Sequence, residues 1–329
     1  MTIELNHLLS SIQAHSKVFI QPHDIPDPDA IASSFGLKHF LNVLHIEAQI
    51  IYVDSIEKAN SRTMLEIFGI DMDLKEETYV PNEDDLIILV DTQQGHSNVT
   101  HLNSRHVGVI DHHRYMGESN YEFMDIRPEI GACSTIIASY FKQLDIEPEI
   151  NVATALLYAI MTDTDNLVRS NNFLDLEMFY WLYKLSDLSK IKHLRMNEIG
   201  LGDLEAYTRA LQNIEIYGAT CFVDIGDCND SLLGTISDMV FTIEHVDIIV
   251  SYAKRDDGIK LSIRSGDKMI KANNLVNYII DQHGTGGGHD EMAGGFISRE
   301  EIGLLQNKNF DTYVRYRTIK YLDLIKEKK

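Results

Sequence analysis

Short apolar runs alternate with helical patterns through the first half of the chain. Residues 17–21 (KVFIQ), 48–53 (AQIIYV), 86–90 (LIILV) and 107–110 (VGVI) are continuous β-rich runs. Between them, residues 30–44 and 62–68 carry apolar positions at helical spacing. Strands that are apolar on both faces and separated by helices indicate a parallel sheet covered on both sides. The spacing predicts helices over most of 131–183, with 153–161 strongly apolar, and then a polar, helically spaced connector over 184–212. A second pattern begins near Ile214. It predicts strands at 217–223, 246–252 and 260–263, a helix at 274–282, and a glycine-rich segment at 283–295. The expected fold class is α/β: an N-terminal doubly wound, mainly parallel sheet, and a smaller C-terminal α/β domain joined by a helical linker. The expected boundaries are 1–185, 186–212 and 213–329.

Composition narrows the class. A chain of 329 residues suggests two domains at roughly 150 residues each. Hydrophobic residues at 44% and charged residues at 24% fit a globular protein and exclude disordered, collagenous and coiled-coil classes. No apolar run approaches the roughly 20 residues that span a bilayer. The first residues lack a basic leader with an apolar core, so neither a membrane partner nor a secretory signal is expected. The formal charge of −21 disfavours long duplex DNA, which requires a broad basic face. It leaves room for a small anion, because bound cations and local basic groups can reverse the field inside a cleft. The three cysteines, Cys133, Cys221 and Cys228, form no disulfide framework or zinc ribbon and point to a reducing cytoplasm.

Chemistry is concentrated in four clusters, each directly after an apolar run: His23-Asp24-Ile25-Pro26-Asp27-Pro28-Asp29, Asp91-Thr92, Asp111-His112-His113 and Asp163-Thr164. Taken singly, an aspartate after a strand is a turn residue or helix N-cap, and Asp29, Asp91 and Asp163 each admit that explanation. The tandem His112-His113 fits no common cap. If all these strand ends open onto one edge of a doubly wound sheet, His23, Asp27, Asp29, Asp91, Asp111, His112, His113 and Asp163 gather in one cleft. So many carboxylates raise one another's pKa unless counter-charge is present. Two divalent cations would supply it. Carboxylate and imidazole ligands without thiolate suit manganese, magnesium or iron better than structural zinc.

This ordered set of motifs resembles the DHH phosphoesterase family. Gly286-Gly287-Gly288-His289 with Ala293-Gly294 resembles the substrate domain associated with it. In length and plan the chain is most similar to the oligoribonuclease and 3′-phosphoadenosine 5′-phosphate phosphatase group. The resemblance implies one metal held by His23, Asp27 and Asp91, and a second held by Asp29, Asp91, His112 and Asp163, with Asp91 bridging. It implies manganese, or magnesium, as the cation. Asp111 would orient a histidine, and His113 would contact the scissile phosphate. Pro28 stands where the family commonly has glycine. A proline at the first position of a helix is accommodated there.

In the second half, Ser262-Ile263-Arg264-Ser265 resembles the family's substrate-contacting motif, its arginine offering a planar fork for phosphate. Between 250 and 275, six basic residues face three aspartates, a local positive excess. The bare backbone of Gly286, Gly287 and Gly288, beside His289, could approach an anion closely. Ser134 is expected as a helix cap, and Arg169 as a solvated residue. The expected activity is metal-dependent hydrolysis of phosphodiester or phosphomonoester bonds in short single-stranded oligonucleotides or small nucleotides. The alternatives are a cyclic-dinucleotide phosphodiesterase, a RecJ-like single-strand exonuclease, and a non-catalytic nucleotide-binding protein, which would have lost a ligand. A pyrophosphatase would carry a different second domain. Oligomeric state stays open, a homodimer included.

Overall fold

The computed structural model describes the chain apart from residues 1, 14, 16, 54–55, 57–58, 75–80, 97, 116, 118–119, 171, 197–198, 305–308 and 327–329. It divides into two compact units, Met1–Glu198 and Ile199–Lys329. As expected, the first holds a parallel sheet and the second a separate mixed sheet.

The first unit runs α1 (Ile3–Gln13), β1 (Val18–Gln21), α2 (Pro28–Val43), β2 (Ala48–Tyr52), α3 (Ala59–Phe68), β3 (Asp73–Leu74), β4 (Leu86–Val90), β5 (His106–Asp111) and β6 (Phe123–Ile126). Four helices follow: α4 (Cys133–Gln143), α5 (Ile150–Asp163), α6 (Phe173–Leu185) and α7 (Leu188–Met196). The strands lie in the order β3-β2-β1-β4-β5-β6, and every pairing is parallel. Alternate side chains of an extended strand point to opposite faces, and here both faces are apolar. Val18, Ile20, Ile50, Ile88 and Val90 pack in one core with residues of α2, α4 and α5. Phe19, Ile51, Ile87 and Leu89 join Val99 and Val109 in another. Chain direction across the sheet reverses between β1 and β4. A crevice opens at the carboxyl ends of strands at such a switch point, where the segment after β1 and Asp91 after β4 both lie.

The second unit begins with a 3₁₀ turn (Leu201–Asp203) and α8 (Leu204–Gln212), then β7 (Ile214–Tyr217), β8 (Thr220–Gly226), α9 (Asp230–Phe241), β9 (Ile248–Lys254), β10 (Gly258–Ser265), α10 (Ala272–Ile280), β11 (Thr285–Gly288), β12 (Met292–Ser298), α11 (Arg299–Leu304) and α12 (Phe310–Lys326). The sheet order is β11-β12-β10-β9-β8-β7. Only β8 and β9 pair in parallel. Each sheet face has its own core, one with α10 and α12 and one with α8 and α9. No described helix is long and apolar enough to cross a membrane.

Several elements differ from expectation. The single strand expected at 217–223 is a hairpin: β7 and β8 pair antiparallel around Gly218, whose φ of +60° suits glycine. Strand β10 extends through Arg264 and Ser265, so that motif lies within a strand. The glycine run expected as a loop is β11, paired antiparallel with β12. The connector stretch is helical but divided. Ile191 and Leu194 of α7 belong to the first unit's core, while Ala206 and Ala210 of α8 belong to a core of the second.

Candidate metal centre

The loop after β1 delivers the first three acidic and imidazole groups. Asp27 is the N-cap of α2, its Oδ1 accepting from the backbone N–H of Asp29 at 3.0 Å and Ala30 at 3.2 Å. Pro28 occupies the first helical turn, where its fixed φ fits and its missing N–H costs nothing. Asp29 is therefore inside α2 and caps a different helix. Its Oδ2 accepts from the Cys133 N–H at 2.7 Å and its Oδ1 from the Ser134 N–H at 2.9 Å, both at the start of α4. Ser134, expected to cap α4 with its side chain, instead places its Oγ 3.0 Å from Ser33 Oγ; the N-cap position is Ala132.

Asp91 follows β4 directly and takes a φ of +60°, uncommon outside glycine and tolerated by aspartate. It is buried, and its Oδ1 has no hydrogen-bond partner. Asp111 ends β5 and is fully buried. It accepts at Oδ1 from the backbone N–H of His112 and His113 and from His113 Nδ1 at 2.8 Å. Its Oδ2 accepts from Gln93 Nε2 at 2.8 Å. His112 Nδ1 donates to the Ile130 carbonyl at 3.2 Å. A carbonyl only accepts, so the proton sits on Nδ1 and Nε2 is the free ligand nitrogen. That nitrogen lies 3.3 Å from Asp91 Oδ1, 3.4 Å from Asp163 Oδ2 and 3.9 Å from Asp29 Oδ2. Asp163 is the last residue of α5, so the fourth motif reaches the site on a helix end and not, as expected, on a strand end.

Ligand atoms of His23, Asp27 and Asp91 lie within 4.8 Å of one another, as do those of Asp29, His112 and Asp163, and those of Asp91, His112 and His113. His23 Nε2 is 3.9 Å from both Asp27 Oδ1 and Asp91 Oδ2. The structure thus brings together all eight residues of the four motifs singled out above. Burial, together with the charges of Asp91 and Asp163, pushes the Asp29 carboxyl well above its ordinary range. Burial, together with Asp27 and Asp91, pushes Asp163 up to about 6. Burial opposes protonation of the histidines but is overcome. Asp91 and Asp163 hold His112 well above its usual value, and Asp111 raises His113 to about 9. The protein alone therefore retains protons where it has too much negative charge. Cations satisfy the same demand, and the partnerless Asp91 oxygen offers them a lone pair. The donor set fits divalent cations.

Gln93 and His96 were not singled out from the sequence. Gln93 is fully buried against Asp111. His96 meets His113 edge to face at 5.8 Å between ring centres, and burial pulls its pKa down. No spacing signal separates either from an ordinary loop residue.

In the second unit, Ser262, Arg264, Gly287, Gly288 and His289 line a cavity of about 280 Å³, with Asp230 and Lys260 among its other walls. Ser262 and Arg264 share a face of β10, while Ser265 points to the other face, where its Oγ donates to the Ile270 carbonyl. Gly286, expected beside them, is not among the lining residues and serves packing instead, since a Cβ there would come within 2.7 Å of Ile280 Cδ1. Arg264 is buried, and its Nε donates to Asp238 at 2.6 Å. The basic excess expected here is cancelled by carboxylates from elsewhere. Lys254 pairs with Asp224 and Asp311, Arg255 and Lys260 with Asp230, and Lys271 with Asp290. Arg169 is exposed.

Residues 17–160 match the DHH family, N-terminal domain, and residues 218–313 match the DHHA1 domain. An uncharacterized protein of Methanocaldococcus jannaschii is 29% identical over 278 residues, covering 84% of this chain. This chain spans only 57% of that protein's length. A probable manganese-dependent inorganic pyrophosphatase of Lactiplantibacillus plantarum is 29% identical over 198 residues, covering 59% of this chain and 61% of that protein. The crystal structure of an exopolyphosphatase-related protein from Bacteroides fragilis superposes with a TM-score of 0.77 at 20% identity, covering 98% of this chain and 97% of that one; at that identity the likeness speaks to fold. The chain thus carries a DHH-family N-terminal domain followed by a DHHA1 domain.

Proposed function

We propose that the protein is a metal-dependent phosphoesterase that hydrolyses phosphodiester or phosphomonoester bonds of short single-stranded oligonucleotides or small nucleotides. The observation that carries this reading is Asp91, buried between two ligand groups with one oxygen facing His112 Nε2 and left without a hydrogen bond. His23, Asp27 and Asp91 would hold one divalent cation, and Asp29, Asp91, His112 and Asp163 the other. Manganese is favoured by the pyrophosphatase relative's name. When bound, a pair of such cations supplies acidified water and neutralises phosphate charge.

The chain's own groups do the rest. Asp111 and Gln93 fix the His113 ring, with His113 Nδ1 donating to Asp111 Oδ1 at 2.8 Å. The ring would contact a phosphoryl oxygen. The Ile130 carbonyl accepts from His112 Nδ1 and so aims Nε2 at the carboxylates, where a cation would take the place of its proton. In the second unit, Ser262, Arg264 and the glycine edge with His289 would contact an anionic group of a substrate. The net charge of −21 favours short ligands over long duplexes.

The test is a rate panel with manganese on a di- to pentanucleotide, linear di-adenylate, 3′-phosphoadenosine 5′-phosphate and inorganic pyrophosphate. Asp91→Ala should abolish turnover of every substrate and leave the chain folded. Chelator-insensitive turnover, or an active Asp91→Ala protein, contradicts the mechanism. A second reading, hydrolysis of a phosphoanhydride, is favoured by the pyrophosphatase relative. Pyrophosphate turnover faster than any nucleotide would replace the substrate assignment with it.

A further inference from the structure

A second histidine–carboxylate cluster lies at the other edge of the first sheet. His15 precedes β1, His106 begins β5, and Glu122 directly precedes β6, all at the amino ends of parallel strands. The candidate metal centre lies at the carboxyl ends. His106 and Asp111 are the two ends of β5, so about 17 Å of strand separates the clusters at roughly 3.3 Å per residue. No metal can be shared between them.

The three side chains converge closely. His15 Nε2 lies 2.7 Å from Glu122 Oε2, and His106 Nδ1 contacts Glu122 Oε1. The two imidazole rings are 4.4 Å apart. One ligand atom from each of the three lies within 4.8 Å of the others. His15 Nδ1 faces the Asp84 carbonyl at 3.4 Å, and its Nε2 faces the Glu122 carboxylate at 2.7 Å. Both partners only accept, so the ring meets them either as an imidazolium or, with the proton on Nδ1, with a bound cation at Nε2. An imidazole whose far nitrogen donates to a backbone carbonyl is the usual arrangement of a metal-bound histidine. The neighbourhood is also held in place: the Ser11 hydroxyl donates to the Glu122 carbonyl, the Glu122 N–H to the Val107 carbonyl, and Arg105 pairs with Glu83 beside them.

We propose that His15, His106 and Glu122 form a second cation site, separate from the DHH centre and independent of its chemistry, for a borderline divalent ion such as zinc. Two imidazoles and one carboxylate with an open fourth position suit that class. Tetrahedral ligands at about 2.05 Å stand about 3.3 Å apart, so the clamp opens by less than an ångström to admit the ion. The His15 side chain is 8% exposed, but those of His106 and Glu122 are 31% and 35% exposed, which provides an entry path. The bound ion would tie the starts of β1, β5 and β6 together.

The full chain, stripped with chelator, is titrated with zinc as the probe, and bound zinc is counted by equilibrium dialysis. The same is done for Glu122→Gln and His106→Gln. The wild type should bind one zinc per chain more than either variant. Zinc should also raise its unfolding midpoint by a few degrees more. Manganese-supported turnover of both variants should stay within twofold of wild type. A zinc-soaked crystal should show an anomalous peak about 2.0–2.2 Å from His15 Nε2, His106 Nδ1 and a Glu122 oxygen. That measurement needs no variant. Equal zinc counts in the three proteins, or a soaked crystal without the peak, overturns the proposal and leaves a protonated histidine pair clamped by a carboxylate.

Discussion

Replacing Gln93 by leucine isolates the support given to Asp111 and His113. The change keeps most of the volume and removes the amide that donates to Asp111 Oδ2 at 2.8 Å. Asp111 is fully buried, so that oxygen is left without its charge-assisted donor, a loss of about 1.5–3 kcal/mol. The backbone N–H groups of His112 and His113 and the His113 ring still bind Oδ1, so the unit should stay folded. At roughly 2–4 °C per kcal/mol for a unit of this size, the melting midpoint falls by about 3–12 °C. The pH dependence gives the sign. Burial alone raises the Asp111 carboxyl, but the hydrogen bonds of His113 and Gln93 outweigh it and hold it below its ordinary value. The stabilisation is thus complete above the unfolded value of about 4 and is lost as pH falls through the lower folded value. Removing one donor raises the folded value, so the variant loses its share at higher pH. The stability gap should hold from pH 8 to 5 and shrink in stronger acid. Urea melts in chelator measure it, and kcat should fall about 10–100-fold as the His113 ring loosens. No gap at neutral pH, or a gap that widens with acid, refutes the reasoning.

Other outcomes follow from the second unit. Arg264→Ala should raise KM about tenfold or more while kcat stays within a few-fold, if the guanidinium anchors substrate by charge-assisted bonds; a loss confined to kcat would count against anchoring. Gly288→Ala should cost about 1–3 kcal/mol in a urea melt, because Gly288 has a φ of +142° and a Cβ would sit 2.4 Å from the Met292 carbonyl oxygen. An unchanged midpoint would show that β11 can move away from β12.

Four of the six strands of the first unit were legible because continuous apolar runs such as 86–90 admit few other structures, while the short edge strands β3 and β6 carry no such run. The four motifs were legible for the same reason, each following such a run. Asp163 reached the site differently from expectation, since an apolar run of helical length reads like a strand when only its end is considered. The hairpin at Gly218 was hidden because β7 is mostly exposed and carries little apolar pattern. Local charge counting failed around 250–275 because the partners Asp224, Asp230 and Asp311 are remote in sequence. Gln93 and the His15–His106–Glu122 group were invisible for a related reason: their meaning comes from strands that pair only in three dimensions.

Asp27 and Asp29 each already hold the backbone of a helix start, one at α2 and the other at α4. Their positions are therefore set by amide bonds that exist before any ion arrives. The centre is prearranged in the bare polypeptide, unlike a zinc finger that collapses around its ion. Stripping the cations should empty it without melting α2 or α4, and reloading should restore it without refolding.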